Sequence, residues 1–176
     1  MDAYPGEIRI PPHDAEAEQA ILSSMLFDRD AVISAYGRLN KDDFYYPANR
    51  VIFDTMLTLL GKNAHIDIIT VKNQLVAKDL LESAGGIDYL SNLINGHFTA
   101  AYIDHYTAIV QEKAILRRLI KASNEIGAIS YRGEKTLDQI LAFAQKSIID
   151  ISQNINTGAF AHMREILETT DRKSVV

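Results

Sequence analysis

Between Ala101 and Tyr131 the chain reads AYIDHYTAIVQEKAILRRLIKASNEIGAISY. The stretch holds no proline, and its single glycine, Gly127, comes late. Proline would remove a backbone donor and clash with the preceding turn, so its absence lets one helix run through. Such a helix is more than twice the globular mean of about 11–12 residues. Arg132-Gly133-Glu134-Lys135 then makes a turn. Thr136 with Gln139 matches a capping box, in which each side chain satisfies the other residue's backbone N–H. Leu137, Leu141, Ala144, Ile148, Ile151 and Ile155 follow at alternating spacings of four and three, a heptad seam. Two long helices joined by a short turn form an αα-hairpin. Asn156-Thr157-Gly158 ends it.

Working back toward the N-terminus, the pattern stays helical but the pieces shorten. Pro11-Pro12 cannot be helical, and Asp14 reads as an N-cap with Glu16 and Glu18 suited to the positive end of the helix that follows. Ile21, Leu22, Met25 and Leu26 form its apolar stripe. Asp28-Arg29-Asp30 breaks it and starts a short helix through Val32 and Ile33. Asp42-Asp43-Phe44-Tyr45-Tyr46-Pro47 is a turn, with Pro47 at the first helical position. Ile52, Phe53, Met56, Leu57 and Leu60 make the next stripe, with Gly61 as its C-terminal stop. Asp67 caps a helix holding Ile68, Val71 and Leu75. Gly85-Gly86 is a hinge-like break before Ile87, Leu90, Leu93 and Ile94. Downstream of the hairpin, Met163, Ile166 and Leu167 suggest a last short amphipathic helix. The expected fold is all-α: a compact helical bundle (1–100), a long antiparallel hairpin (101–156) and a short linker helix (157–176).

Composition narrows the function classes. The 176 residues are 47% hydrophobic, enough for a core. Lys and Arg total 18 against 23 Asp and Glu, a net charge of −5. Residues 1–100 carry 8 basic and 14 acidic residues, so the acidity sits there, and the last third is neutral. An acidic surface is a poor partner for phosphates and a better one for protein. The chain has no cysteine, which excludes disulfides, thiolate-held metals and thiol catalysis, and fits a reducing compartment. No run approaches the ~20 apolar residues of a membrane span.

A search for chemistry finds no catalytic, cofactor or metal residues. The five histidines, His13, His65, His97, His105 and His162, show no i, i+4 pair of the kind that holds a metal on a helix. Asp42-Asp43 and Asp28/Asp30 lie in turns and read as caps rather than as acid–base pairs. The run from Gly127 to Thr136 has five residues between its glycines, and Glu134 stands before Lys135. A phosphate-binding loop needs four residues there, a lysine directly after the second glycine, and a preceding strand, so nucleotide hydrolysis is not expected.

What the hairpin does carry is surplus apolar surface. Ile109, Val110, Ile115, Leu116, Leu119, Ile120, Ile126 and Ile129 cover more than the one stripe needed to meet the second arm. Either the bundle covers the second face, or another protein does. Self-association is the expected use, through Ile109, Leu116, Leu141, Ile148 and Ile151. Lys113, Arg117 and Lys121, with Arg118 beside them, form a basic stripe. It reads as a solvated face or as a contact for acidic residues of a partner. Tyr89 reads as a core-edge tyrosine with its hydroxyl in water, or as an interface anchor.

Several segments, taken in order, resemble the N-terminal region of the bacterial replicative DNA helicase, the DnaB family. They are Pro11-Pro12-His13-Asp14-Ala15-Glu16-Ala17-Glu18-Gln19-Ala20-Ile21-Leu22, Asp43-Phe44-Tyr45, Ile66-Asp67-Ile68-Ile69-Thr70-Val71, Gly85-Gly86-Ile87-Asp88-Tyr89-Leu90, Thr99-Ala100-Ala101-Tyr102-Ile103, Ile109-Val110-Gln111-Glu112-Lys113 and Leu116-Arg117-Arg118. Gly158-Ala159-Phe160 and Ile166-Leu167 look like the start of the family's interdomain linker. The resemblance implies a cytoplasmic bacterial protein whose hairpins pair into dimers, three dimers forming a collar. It implies docking of the primase C-terminal helicase-binding domain, at Tyr89, Ile120 and Ile126, and a helicase loader as a further partner. Met163, Ile166 and Leu167 would dock on a neighbouring motor domain. ATP and Mg²⁺ are expected only for that motor, which would follow this chain, so no enzyme activity is expected here. No direct nucleic-acid contact is expected either. The alternative is a stand-alone helical regulator that binds the replicative helicase.

Overall fold

The computed structural model describes residues 10–96 and 100–153. Six α-helices are bounded there: α1 (Ala15–Phe27), α2 (Arg29–Arg38), α3 (Pro47–Gly61), α4 (Ile68–Ala77), α5 (Gly86–Asn95) and α6 (Ile103–Arg132). Residues 137–153 form a further helix, the second arm of the hairpin. No strand occurs among the described residues, so the fold is all-α. Ile155, Met163, Ile166 and Leu167, and with them the linker helix, lie outside the described residues.

Helix α1 is the centre of the bundle, touching α2, α3, α5 and α6. The stripe of Ile21, Leu22, Met25 and Leu26 is buried as expected, but so are Ala17, Ala20, Ser23 and Ser24 on its other sides. A helix surrounded by neighbours buries its small residues along with its large ones. The core continues through Phe44, Ile52, Phe53, Met56, Val71, Leu75, Leu90 and Leu93. Phe44 and Phe53 meet with ring centroids 4.8 Å apart.

The helix ends follow their residues. Asp14 accepts a hydrogen bond from the Ala17 N–H at 2.9 Å. Asp28 ends α1 and caps α2, accepting from the Asp30 N–H at 2.8 Å. Pro47 opens α3. Helix α3 stops at Gly61 as expected; the left-handed position beyond it is Asn63, at φ 52°. Asparagine tolerates that region because its short polar side chain can bond locally. Asp67 accepts from the Thr70 N–H at 2.8 Å, while the Thr70 hydroxyl accepts from the Asp67 N–H at 3.0 Å. Replacing Asp67 by alanine leaves an orphan donor and is expected to cost about 1 kcal/mol. An unchanged urea midpoint in that variant would contradict the cap.

The glycine pair is a fixed corner. Gly85 has φ +88°, and a Cβ placed on it would lie 2.8 Å from the Cβ of Tyr89. Glycine is thus required both for the backbone conformation and for the seat of the Tyr89 ring.

Helix α6 runs unbroken for 30 residues. Its first part belongs to the bundle: Val110 lies in the core, with Ile103, Tyr106 and Ile109 packed against it. Ile109 is therefore used inside the chain. Gly133, left-handed at φ 65°, closes α6. The capping box is present, with Thr136 N–H donating to Gln139 at 3.1 Å and Gln139 N–H to Thr136 at 3.4 Å.

The second arm is turned differently from its heptad reading. Ile140, Phe143, Ala144 and Ser147 are partly buried and Ile151 is buried, whereas Leu137, Leu141, Ile148 and Ile149 are exposed. The inward line 140-144-147-151 has the same alternating spacing but carries small residues at its middle. The Ser147 hydroxyl donates back to the Phe143 carbonyl at 2.9 Å. The larger aliphatic side chains are left on the outside.

Candidate functional site

Among the described residues of the two hairpin helices, Leu116, Leu119, Ile120, Tyr131, Leu137, Leu141, Ile148 and Ile149 are exposed. Leu137 is 70% exposed, Leu141 52% and Ile148 47%. Leu116, Leu119 and Ile120 fall within one turn of α6, and Leu137, Leu141 and Ile148 follow one another along the second arm. Large apolar side chains exposed in rows of this kind make the hairpin the candidate site for contact with another protein. Of the residues expected in self-association, Leu116, Leu141 and Ile148 have the exposure it requires; Ile109 and Ile151 are turned inward.

Two of the three residues expected at a docking site for a second protein also lie on α6. Ile120 is exposed and borders an open groove with Pro11, Arg117, Lys121, Asn124, Glu125 and Ala128. Ile126, further along, is half-buried. Tyr89 lies on the bundle, and its hydroxyl is engaged rather than solvated. It donates to Asn49 Oδ1 at 2.6 Å and accepts from Gln19 Nε2 at 3.4 Å. Burial pushes the phenol up from its ordinary value, against the hydrogen bond it accepts from Gln19.

That hydroxyl is the outer end of a buried polar network that the residue pattern does not announce. Asn49 Nδ2 donates to Glu18 Oε2 at 2.8 Å. Glu18, only 1% exposed, also accepts from the backbone N–H of Tyr45 at 2.6 Å and of Tyr46 at 3.3 Å. Its carboxylate thus fixes the turn that leads into α3 rather than the start of its own helix. Arg50 secures the same turn, donating to the Phe44 carbonyl at 2.6 Å and the Tyr45 carbonyl at 3.4 Å. His13 stacks on Tyr45 with centroids 4.3 Å apart.

The basic stripe is neither wholly solvated nor a free partner surface. Arg117 donates to the Pro12 carbonyl at 2.7 Å and to the Asp43 carbonyl, and lies over the Tyr45 ring. Arg118 pairs with the Asp43 carboxylate. Lys121 is exposed and pairs with Glu125 one turn on, at 3.9 Å. Burial lowers Arg117 from its ordinary value, against the attraction of Glu18. Asp43 also closes a capping box with Asn40. Burial raises its carboxyl above the ordinary 3.8, outweighing the Asn40 N–H and the charges of Arg118 and Arg117. The folded chain therefore takes up this proton before the unfolded one does. The stability linked to it is fully present below 3.8 and is lost as pH rises through the raised value. Followed by its carboxyl carbon-13 shift, Asp43 is expected to titrate with a midpoint above 3.8, and a midpoint below it would contradict the burial.

No group of three or more His, Cys, Asp or Glu among the described residues is placed to hold a metal ion. Among them, too, no helix is long and apolar enough to cross a membrane.

Residues 10–112 match the family described as DnaB-like helicase N terminal domain. The chain is similar to the replicative DNA helicase DnaC of Bacillus subtilis (strain 168), 39% identical over 162 residues that cover 92% of this chain and 36% of the relative. It is 35% identical to the replicative DNA helicase DnaB of Mycobacterium leprae over 175 residues, 97% of this chain and 29% of that one. The chain thus spans about a third of the length of these curated relatives. Among solved structures it resembles the N-terminal domain of DnaB helicase from Mycobacterium tuberculosis, with a TM-score of 0.75 and 38% identity. That match covers 80% of this chain and 99% of that one. A structure titled as a DnaB-like replicative helicase and its interactions with primase shares the fold, with a TM-score of 0.64 at 22% identity. It covers 78% of this chain and 31% of that one.

Proposed function

We propose that this chain, which belongs to the DnaB-like helicase N-terminal domain family, is the assembly and primase-docking module of a bacterial replicative DNA helicase. Its hairpin brings helicase subunits together as dimers, or as a trimer of dimers forming a collar. The C-terminal helicase-binding domain of primase docks on that collar at Tyr89, Ile120 and Ile126, which couples unwinding to priming by attachment. A helicase loader is a further partner. Residues 1–100 form the globular part, 101–156 the dimerising hairpin, and 157–176 the linker, in which Met163, Ile166 and Leu167 dock on a neighbouring motor domain. In this reading the chain catalyses no reaction and holds no cofactor; ATP and Mg²⁺ serve the motor of the whole helicase, in the cytoplasm.

The observation that carries this reading is the set of large apolar side chains exposed on the hairpin. The acidic surface of the first hundred residues suits a protein partner better than DNA. Calorimetric titration of the primase C-terminal domain into this chain tests it. Binding is expected, weakened at least tenfold by Ile120→Glu, with the helical circular-dichroism signal unchanged. Absence of binding, or equal binding to the variant, would count against the docking site.

A further inference from the structure

The hairpin leaves the bundle as the continuation of one helix, so a single junction sets its direction. The bundle core takes α6 side chains up to Val110, and Ala114 is the next buried position. Immediately beyond stand Arg117 and Arg118. Both reach back to the segment around Asp43: Arg117 to the Asp43 and Pro12 carbonyls, Arg118 to the Asp43 carboxylate, whose side chain is 5% exposed. That segment is itself held from two other helices, by Glu18 of α1 and by Arg50 of α3. From Arg118 to the end of α6 the lever is about 21 Å long at 1.5 Å per residue, so a tilt of about 10° carries its tip ~4 Å. An apolar face matched to a partner does not survive a displacement of that size.

We infer that Arg117 and Arg118 are positioning residues: clamped on Asp43, they fix the angle at which the hairpin leaves the bundle and so present its outer face to a partner. The consequence for partners rests on the docking reading above, but the angle itself is a property of one chain and is measured separately.

The chain has no cysteine, so Asn73→Cys on α4 and Glu134→Cys at the hairpin tip supply the only two thiols. Spin labels at these sites, in chain diluted into excess unlabelled chain, give the intrachain distance distribution by double electron–electron resonance. One narrow distribution is expected for the parent. It should become at least twice as wide, or shift, in Arg117→Ala/Arg118→Ala and in the near-isosteric Asp43→Asn. Asp28→Ala is the control, removing the cap of α2 without touching either the clamp or the labelled α4, and is expected to leave the distribution narrow. Unchanged width in both clamp variants would overturn the inference, as would equal broadening in the control. Light scattering on the same variants reads association. Broadening with unaltered association would leave the clamp standing and count against the hairpin as the association surface.

Discussion

Glu18→Ala is expected to cost about 3–5 kcal/mol of folding stability, the range for breaking a buried charged network by removing one partner. The carboxylate accepts from the backbone N–H groups of Tyr45 and Tyr46 and from the Asn49 amide. Alanine would leave all three donors without that partner and open a cavity beside Ile21 and Leu22. Hydrogen bonds to a charged group are worth about 1.5–3 kcal/mol each, so the loss exceeds that of an exposed carboxylate several-fold. Natural domains have only about 5–15 kcal/mol in total, so the variant should unfold at much lower urea. Glu18→Gln keeps the shape and accepts more weakly, so its midpoint should fall between those of the parent and the alanine variant. A parent-like midpoint for Glu18→Ala would show that the network contributes little.

The second large effect separates three residues that share one heptad line. Leu141 and Ile148 face outward, whereas Ile151 is 9% exposed. Leu141→Glu and Ile148→Glu should leave the fold intact and weaken self-association at least tenfold each, about 1.4 kcal/mol. Fully burying an aliphatic side chain is worth about 1.5–3 kcal/mol, and a carboxylate pressed into the same contact adds a desolvation cost. Ile151→Glu should instead lower the unfolding midpoint, because it places a charge between the hairpin and its own neighbours. Association that survives both outward variants, or a fold indifferent to Ile151→Glu, would contradict the observed rotation of the second arm.

That rotation shows where reading the residues succeeds and where it stops. The caps at Asp14, Asp28, Asp67 and Thr136 depend on contacts two or three residues apart, so local spacing finds them. The length of α6 follows from the absence of proline and from its single late glycine. The orientation of the second arm does not follow, because the lines 137-141-144-148-151 and 140-144-147-151 have equal periodicity. Glu18 was in principle legible, since it shares a face with Ile21, Leu22 and Met25, and a carboxylate on a buried stripe needs donors. Those donors come from a turn some thirty residues away, which periodicity cannot supply. Arg117 and Arg118 likewise continue the face of Val110 and Ala114, and only the fold brings Asp43 and Pro12 beneath them. Tyr89 could be placed at the core edge from its stripe, but its bond to Asn49 spans 40 residues.

The central claim is that the outward face of the hairpin joins copies of this chain. Solution mass by light scattering across a concentration series tests it most directly. The account predicts a dimer or a higher even oligomer that dissociates on dilution, and a strict monomer at high concentration would contradict it.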